Sequence, residues 1–436
     1  MGRRLGDYGM LVALLALCAV FSLLTLERQA PGGAAAAEQI AADIGRDLDP
    51  GEPVMVVASP APESRAGARE IVARLEARGY SRVREVAGTP RDLRLALEAA
   101  VRSGEPPRAI ALTREVVDWR VLEGLETTFP ELGGAALVRA HASYRPSFLK
   151  ASNLLAVVDR IVVIAVIAIG MTMVIVTAGI DLSVGSLIAL SAVIGTLVMK
   201  RLGGLSAPAW AVAAGFAVAT AACGALGAVG GWLVARFRVA PFITTLALMM
   251  VARGLAFLLT GGYSVYQVPR ALPWLGQGRT LGVPHTVVLL VVLYLIAHVF
   301  MSRTRLGRHI YAVGGNEEAA RLSGVPVRGV LVFVYAISGL AAGLGGCIQA
   351  SQIDAGTPNC GVMYEMYVIA AVVVGGTSLS GGTGRILGTL IGAFIISVIQ
   401  NGMNLLGIES YTQNVVLGLV ILGAVLLDKL RGEAGA

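Results

Sequence analysis

Nine long apolar runs, at residues 154–178, 184–200, 207–235, 240–260, 284–301, 329–350, 363–378, 386–405 and 412–428, follow one another with short polar turns between them. A further run at 11–26 stands behind Arg3 and Arg4. Most are long enough as helices to cross about 30 Å of hydrocarbon, with 11–26 and 363–378 the shortest. In lipid every backbone N–H and C=O must find its partner within the chain, so runs of this kind fold as bundled helices. The expected fold class is a polytopic all-α membrane protein with about ten transmembrane helices and an inserted small α/β extracytoplasmic domain.

The insertion shows as charge. Between Glu27 and Lys150 lie 17 Lys/Arg and 18 Asp/Glu, whereas the rest of the chain holds 18 basic and 10 acidic groups. The basic excess therefore belongs to the membrane part, where it answers to topology and gives no reason to expect a nucleic-acid partner. With residues 1–28 read as an uncleaved transmembrane signal anchor that starts inside, 29–145 fall outside the cytoplasm and 146–431 form the membrane domain. The longest polar turn, 302–328, then lies inside with Arg303, Arg305, Arg308, Arg321 and Arg328, against Arg270 and Arg279 in the outer connection 261–283. Lys200 and Arg201 run against the rule. This layout is that of a multi-pass membrane protein solvated by lipid.

Within the charged segment, strand-like runs at 53–58, 82–86, 108–113 and 135–138 alternate with helical patterns at 65–78, from Thr89-Pro90 onward, and at 116–129. That order predicts a small parallel sheet covered by helices. In architecture the spacing resembles one lobe of a periplasmic sugar-binding protein. Cys18, Cys223 and Cys347 sit in apolar runs and read as small buried hydrophobes.

Two stretches interrupt hydrophobic runs in a similar way: Ala-Gly-Ile-Asp-Leu-Ser-Val-Gly-Ser at 178–186 and Gly-Gly-Thr-Ser-Leu-Ser-Gly-Gly-Thr-Gly at 375–384. Transporters use paired broken helices near the substrate path. Asp181 is isolated in apolar surroundings, which marks either function or a cap, with Asp181 or Ser183 opening the helix that starts near Val184. Gly339 with Gly343, and Gly388 with Gly392, are four apart and give small faces for close helix packing.

The stretch at 178–186 resembles the glycine-isoleucine-aspartate-leucine-serine signature of the ribose/xylose/galactose-type permeases of ABC transporters. Similar again are Gly314, Gly315, Asn316, Glu317, Glu318, Ala319, Ala320, Arg321, Leu322, Ser323 and Gly324 in the inner turn. Pro-Phe-Ile-Thr-Thr-Leu at 241–246, Ala-Arg-Gly at 252–254, the glycine-rich 375–382 and Asn-Gly-Met-Asn-Leu-Leu-Gly at 401–407 fit in order. The segment 27–145 departs from the pattern.

The resemblance implies a permease homodimer that docks an ABC ATPase subunit and receives sugar from an extracytoplasmic binding protein. The turn from Gly314 to Gly324 is then the ATPase-coupling element, with Glu317 to Leu322 as a short helix capped by Asn316. The chain has no phosphate-binding loop of its own. Lys150, Lys200 and Lys429 follow Leu, Met and Asp, where such a loop needs Gly-Lys. No cofactor, metal or enzymatic activity is expected. For a neutral sugar the path candidates are Asp181, Ser183, Glu365, Asn401 and Asn404 for hydroxyls, with Phe242 and Tyr364 for stacking. An amino-acid permease of the branched-chain class and a membrane-anchored ligand sensor are the alternatives.

Overall fold

The computed structural model describes residues 2–132 and 134–433. It forms two compact units, Leu26–Pro146 and the combination of Met1–Thr25 with Ser147–Ala436. Helix α1 (Gly2–Leu24) belongs to the larger one.

The smaller unit runs β1 (Leu26–Gln29), α2 (Gly33–Asp47), β2 (Val54–Ala58), α3 (Pro62–Ala77), β3 (Val83–Ala87), α4 (Pro90–Arg102), β4 (Ala109–Leu112), α5 (Leu125–Thr128), β5 (Ala136–Arg139) and β6 (Ser143–Pro146). Strands β2 to β5 form one parallel sheet in the order β3-β2-β4-β5. The central strands, Val-Met-Val-Val-Ala and Ala-Ile-Ala-Leu, are buried along their whole length, as strands covered on both faces must be. Side chains alternate between two cores: Val54 and Val56 meet Ile40, Ile44, Ile71 and Leu75, while Met55 and Val57 meet Leu93, Leu97 and Ile110. β1 pairs antiparallel with β6, setting Leu26 opposite Pro146, so this unit's entry and exit strands lie side by side. Adjacent ends are what let a folded unit interrupt another chain segment.

The helix expected over 116–129 is absent. Turns of 3-10 type at Arg114–Val116 and Arg120–Leu122 precede α5, and Gly124, at φ 78°, breaks the path in the left-handed region. Helix α2 and the β1–β6 ribbon went unread in the sequence.

The larger unit continues with α6 (Ala151–Val176), α7 (Val184–Arg201), α8 (Trp210–Phe237), α9 (Pro241–Thr260), α10 (Pro273–Gly276), α11 (His285–Arg303), α12 (Arg305–Gly315), α13 (Glu317–Leu322), α14 (Val327–Ile353), α15 (Tyr364–Val374), α16 (Ile386–Leu405) and α17 (Ser410–Glu433). Among the described residues seven of these, α6, α7, α8, α9, α11, α14 and α16, are long and apolar enough to cross a membrane. Three shorter apolar helices, Gly9–Leu24, Tyr364–Val374 and Ser410–Leu426, accompany them.

Helices α6, α7 and α16 are mostly buried within the unit, whereas α8, α9 and α11 leave most of their apolar surface outward, as lipid-facing helices do. The small faces pack as spaced. Gly339 and Gly343 of α14 lie against Cys223 and Thr220 of α8, and Gly388 and Gly392 of α16 lie against Gly375 and Ala371.

Candidate functional site

The first interruption separates α6 from α7. Ala178 turns the chain at φ 59°, and Asp181 follows, only 1% exposed. A carboxyl in apolar surroundings is costly without donors. Asp181 has three: its Oδ1 accepts from the Ser183 amide (3.0 Å) and hydroxyl (2.6 Å), and its Oδ2 from the Ser338 hydroxyl on α14 (2.7 Å). The turn is thus closed ahead of α7, and Ser183 makes no side-chain cap to that helix. Thr245 of α9 adds a hydroxyl donor to the Ile180 carbonyl at 3.2 Å.

The second feature is the shortness of α15. After α14 the backbone reverses at Asp354 (φ 53°), pairs Gly356 with Val265, and begins α15 at Tyr364, only 11 residues long. The start of α15 lies against the start of α7, where a β-carbon on Gly185 would collide with the Glu365 carboxylate and the Gly361 carbonyl. Arg253 of α9 ties the start of α7 to the connection just ahead of α15. Its Nη1 donates to the carbonyls of Pro358 (2.9 Å) and Cys360 (2.6 Å), and its Nη2 to that of Gly185 (3.3 Å). A guanidinium fork can serve three acceptors at once where an ammonium cannot hold the same plane.

Beside these segments lies a cavity of about 420 Å³ lined by Asp159, Arg160, Gln277, Arg279, Gln352 and Tyr364, among others. Gln352 donates to the Asp159 backbone carbonyl at 3.0 Å, and Gln349 to the Tyr364 hydroxyl at 3.4 Å. Among the described residues, Asp159 Oδ1 and Gln349 Oε1 are buried without a hydrogen-bond partner.

The site candidates read from sequence divide into two sets. Asp181, Ser183, Tyr364 and Glu365 gather around the interrupted helices. Asn401 instead exchanges hydrogen bonds with Asn153 (3.0 and 2.9 Å), and Asn404 accepts from Gln413 at 2.7 Å. Phe242 is exposed near the start of α9. Arg253, Gln349, Gln352 and Ser338 are not among the site residues expected from the sequence, although Arg253 lies within the Ala-Arg-Gly motif at 252–254. The signals were there: Arg253 is the one charge in its apolar run, and Gln349 and Gln352 are three apart on one helix face.

The inner turn folds as two short helices. Thr304 Oγ1 accepts from the Gly307 amide at 3.0 Å to cap α12, and Asn316 Oδ1 accepts from the Ala319 amide at 2.8 Å to cap α13. Glu317 and Glu318 occupy the first turn of α13, where the helix dipole favours acids, and Glu318 pairs with Arg321. From Gly315 to Gly324 every residue but Ala320 is exposed, Leu322 at 79%.

Helix α12, which is not among the elements expected from the sequence, anchors this hairpin to the second interruption by a hydrogen bond and to the first by close packing. The Gly382 amide donates to the Val176 carbonyl (2.9 Å), the Tyr311 hydroxyl donates to the Gly384 carbonyl (2.8 Å), and Gly314 packs on both Val176 and Gly382. The two similar stretches therefore meet at one end of the unit, beside the exposed hairpin. Burial there pushes the Tyr311 phenol up, opposed by nearby Arg385.

Interrupted helices inside an apolar bundle, joined to an exposed helical hairpin, define a multi-pass membrane permease. The chain belongs to the family described as branched-chain amino acid transport system / permease component, whose profile matches residues 153–425. Its relatives include the ribose import permease protein RbsC of Escherichia coli strain K12, 45% identical over 300 residues, covering 68% of this chain and 91% of that one. The ribose import permease protein of Bacillus subtilis strain 168 is 42% identical over 305 residues (69% and 92%). The D-allose transport system permease protein AlsC of Escherichia coli strain K12 is 37% identical over 297 (68% and 89%). No solved structure matches the chain.

Proposed function

We propose that this chain is the membrane-spanning permease subunit of an ATP-driven importer for a monosaccharide, with ribose the first substrate to test. The observation that carries the reading is the 45% identity with a ribose import permease across 91% of that protein's length. The sugar names of the relatives favour this over amino-acid transport. The single permease architecture over 153–425 also favours it over a sensor in which the membrane part only anchors.

In this reading the chain crosses the inner membrane ten times, with 29–145 outside, and pairs with a second copy. An extracytoplasmic binding protein delivers the sugar, and a separate ABC ATPase docks on the hairpin from Gly314 to Gly324. The permease itself makes and breaks no covalent bond. The polar cavity at Asp159, Gln352 and Tyr364 supports entry of a hydroxylated solute, since such a solute meets both donors and acceptors there. The Asp181 turn and the Arg253 tie hold the two interrupted segments that must move for alternating access. Because the hairpin bonds to the second interruption through Tyr311 and packs on the first through Gly314, motion of a docked ATPase reaches both at once.

Uptake of radiolabelled ribose by cells making the full transporter is the test. Accumulation should disappear when the partner ATPase is deleted; uptake that survives loss of every candidate ATPase contradicts the importer reading.

A further inference from the structure

The smaller unit holds a cleft that lies outside the residues the family profile matches. It has a volume of about 710 Å³, within the roughly 300–1,000 Å³ usual for small-molecule sites, and it lies beyond the carboxyl ends of β2, β4 and β5. Topology puts it there. From β2 the chain passes to β3 on one side and then crosses to β4 on the other, so the connections after β2 and β4 diverge. A crevice opens at such a switch point in parallel sheets, and ligands of open α/β proteins bind in it.

The floor of the cleft is built from buried polar groups. Ser64, at the start of α3, and Thr113, just after β4, are 1% and 6% exposed and share a hydroxyl–hydroxyl hydrogen bond of 2.8 Å. Ser64 Oγ also accepts from the Ser59 amide at 2.9 Å. One bond between two hydroxyls uses one of their two hydrogens, so whichever donates, the other has a hydrogen to offer a ligand oxygen. The walls carry Glu63, Glu115 and Asp118 against Arg114 and Arg139. Near balance of fixed charge disfavours a strongly ionic ligand, while a lining that offers both donors and acceptors suits hydroxyl groups.

We propose that this cleft binds a small, neutral, polyhydroxylated molecule, a monosaccharide, and so gives the permease chain its own extracytoplasmic receptor site. The choice of a sugar among neutral polar ligands rests on the permease reading; the existence of the cleft does not.

The test is isothermal titration of the full chain in lipid nanodiscs with D-ribose, D-allose and L-arabinose, and with L-leucine and inorganic phosphate as probes of the other ligand classes. At least one sugar should bind saturably. Gly67→Phe should abolish that binding, since a β-carbon at Gly67 meets only Thr113 Cγ2, at 3.8 Å, and the ring then fills the cleft. The exposed pair Arg114→Ala with Asp118→Ala, which leaves the floor intact, should weaken it about tenfold. Undiminished sugar binding in both variants, or leucine or phosphate bound in place of sugar, overturns the proposal. So does the absence of any sugar binding; whether cellular uptake persists then decides separately if the permease reading stands.

Discussion

The Ser338 hydroxyl donates to the Asp181 carboxylate at 2.7 Å, tying the middle of α14 to the turn between α6 and α7 across 157 residues of sequence. Both residues are buried, Asp181 at 1% and Ser338 at 0% exposure, so the bond is shielded from bulk solvent. Ser338→Ala should cost about 1–3 kcal/mol by leaving a buried acceptor unsatisfied. Thermal unfolding of the purified protein in detergent measures it, and a melting temperature equal to the parent's would show that the two Ser183 donors suffice.

Gly314 and Gly315 are adjacent but stand in opposite situations. A β-carbon at Gly314 would overlap the Val176 carbonyl and sit 2.7 Å from the Gly382 amide, whereas one at Gly315 meets nothing within 4 Å. Gly314→Ala should therefore separate the hairpin from both interruptions and abolish uptake, while Gly315→Ala keeps uptake within about twofold of the parent. Equal behaviour of the two variants would remove the hairpin contact from the account.

Arg253 serves three backbone carbonyls, so its replacement by lysine is not conservative. Arg253→Lys should reduce uptake at least about tenfold, with the protein still inserted in the membrane. Parental uptake by this variant would mean that charge alone, without the fork, holds α7 to the connection ahead of α15.

On the exposed face of α13, Glu318→Arg together with Leu322→Asp should release the proposed ATPase while leaving the bundle folded, because both side chains lie mostly in solvent. Co-purification of the ATPase subunit reads this directly. Undiminished recovery of the complex would move the docking site elsewhere.

The smaller unit has a pH-sensitive helix start. Asp92 accepts from the Thr89 amide at 2.7 Å and hydroxyl at 2.8 Å, and the backbone donor, followed by the hydroxyl, holds its carboxyl below the ordinary value of 3.8. A lowered native value means the stabilisation is present above the unfolded aspartate value and is lost as the pH falls through the native one. Protection of α4 amides from hydrogen exchange should thus decline on acidification below about pH 4 in the parent. In Asp92→Asn it should start lower and stay level.

The apolar runs and the cap at Asn316 were legible because their signals are local: continuous hydrophobicity, and a short polar side chain ahead of two acids. Helix α12 was hidden because Gly307, Ile310 and Val313 are its only buried residues, among Arg305, Arg308 and His309. The apolar spacing over 116–129 looked helical until Gly124 took a left-handed turn.

At the site, Asp181 stood out by isolation, but its partner Ser338 lies on a distant helix. The partners of Arg253 are backbone carbonyls, which every residue has and no sequence displays. Asn401 drew notice as a polar group in an apolar run, yet its bonds run to Asn153, for which no local pattern exists.

The most direct test of the central claim uses proteoliposomes that contain this chain with its ATPase and binding-protein partners, and sugar supplied on the binding-protein side. ATP should drive accumulation of labelled sugar against its gradient, and the same vesicles without the ATPase subunit should do no more than equilibrate. Concentrative uptake without ATPase or ATP, or none with all components present, would contradict the account.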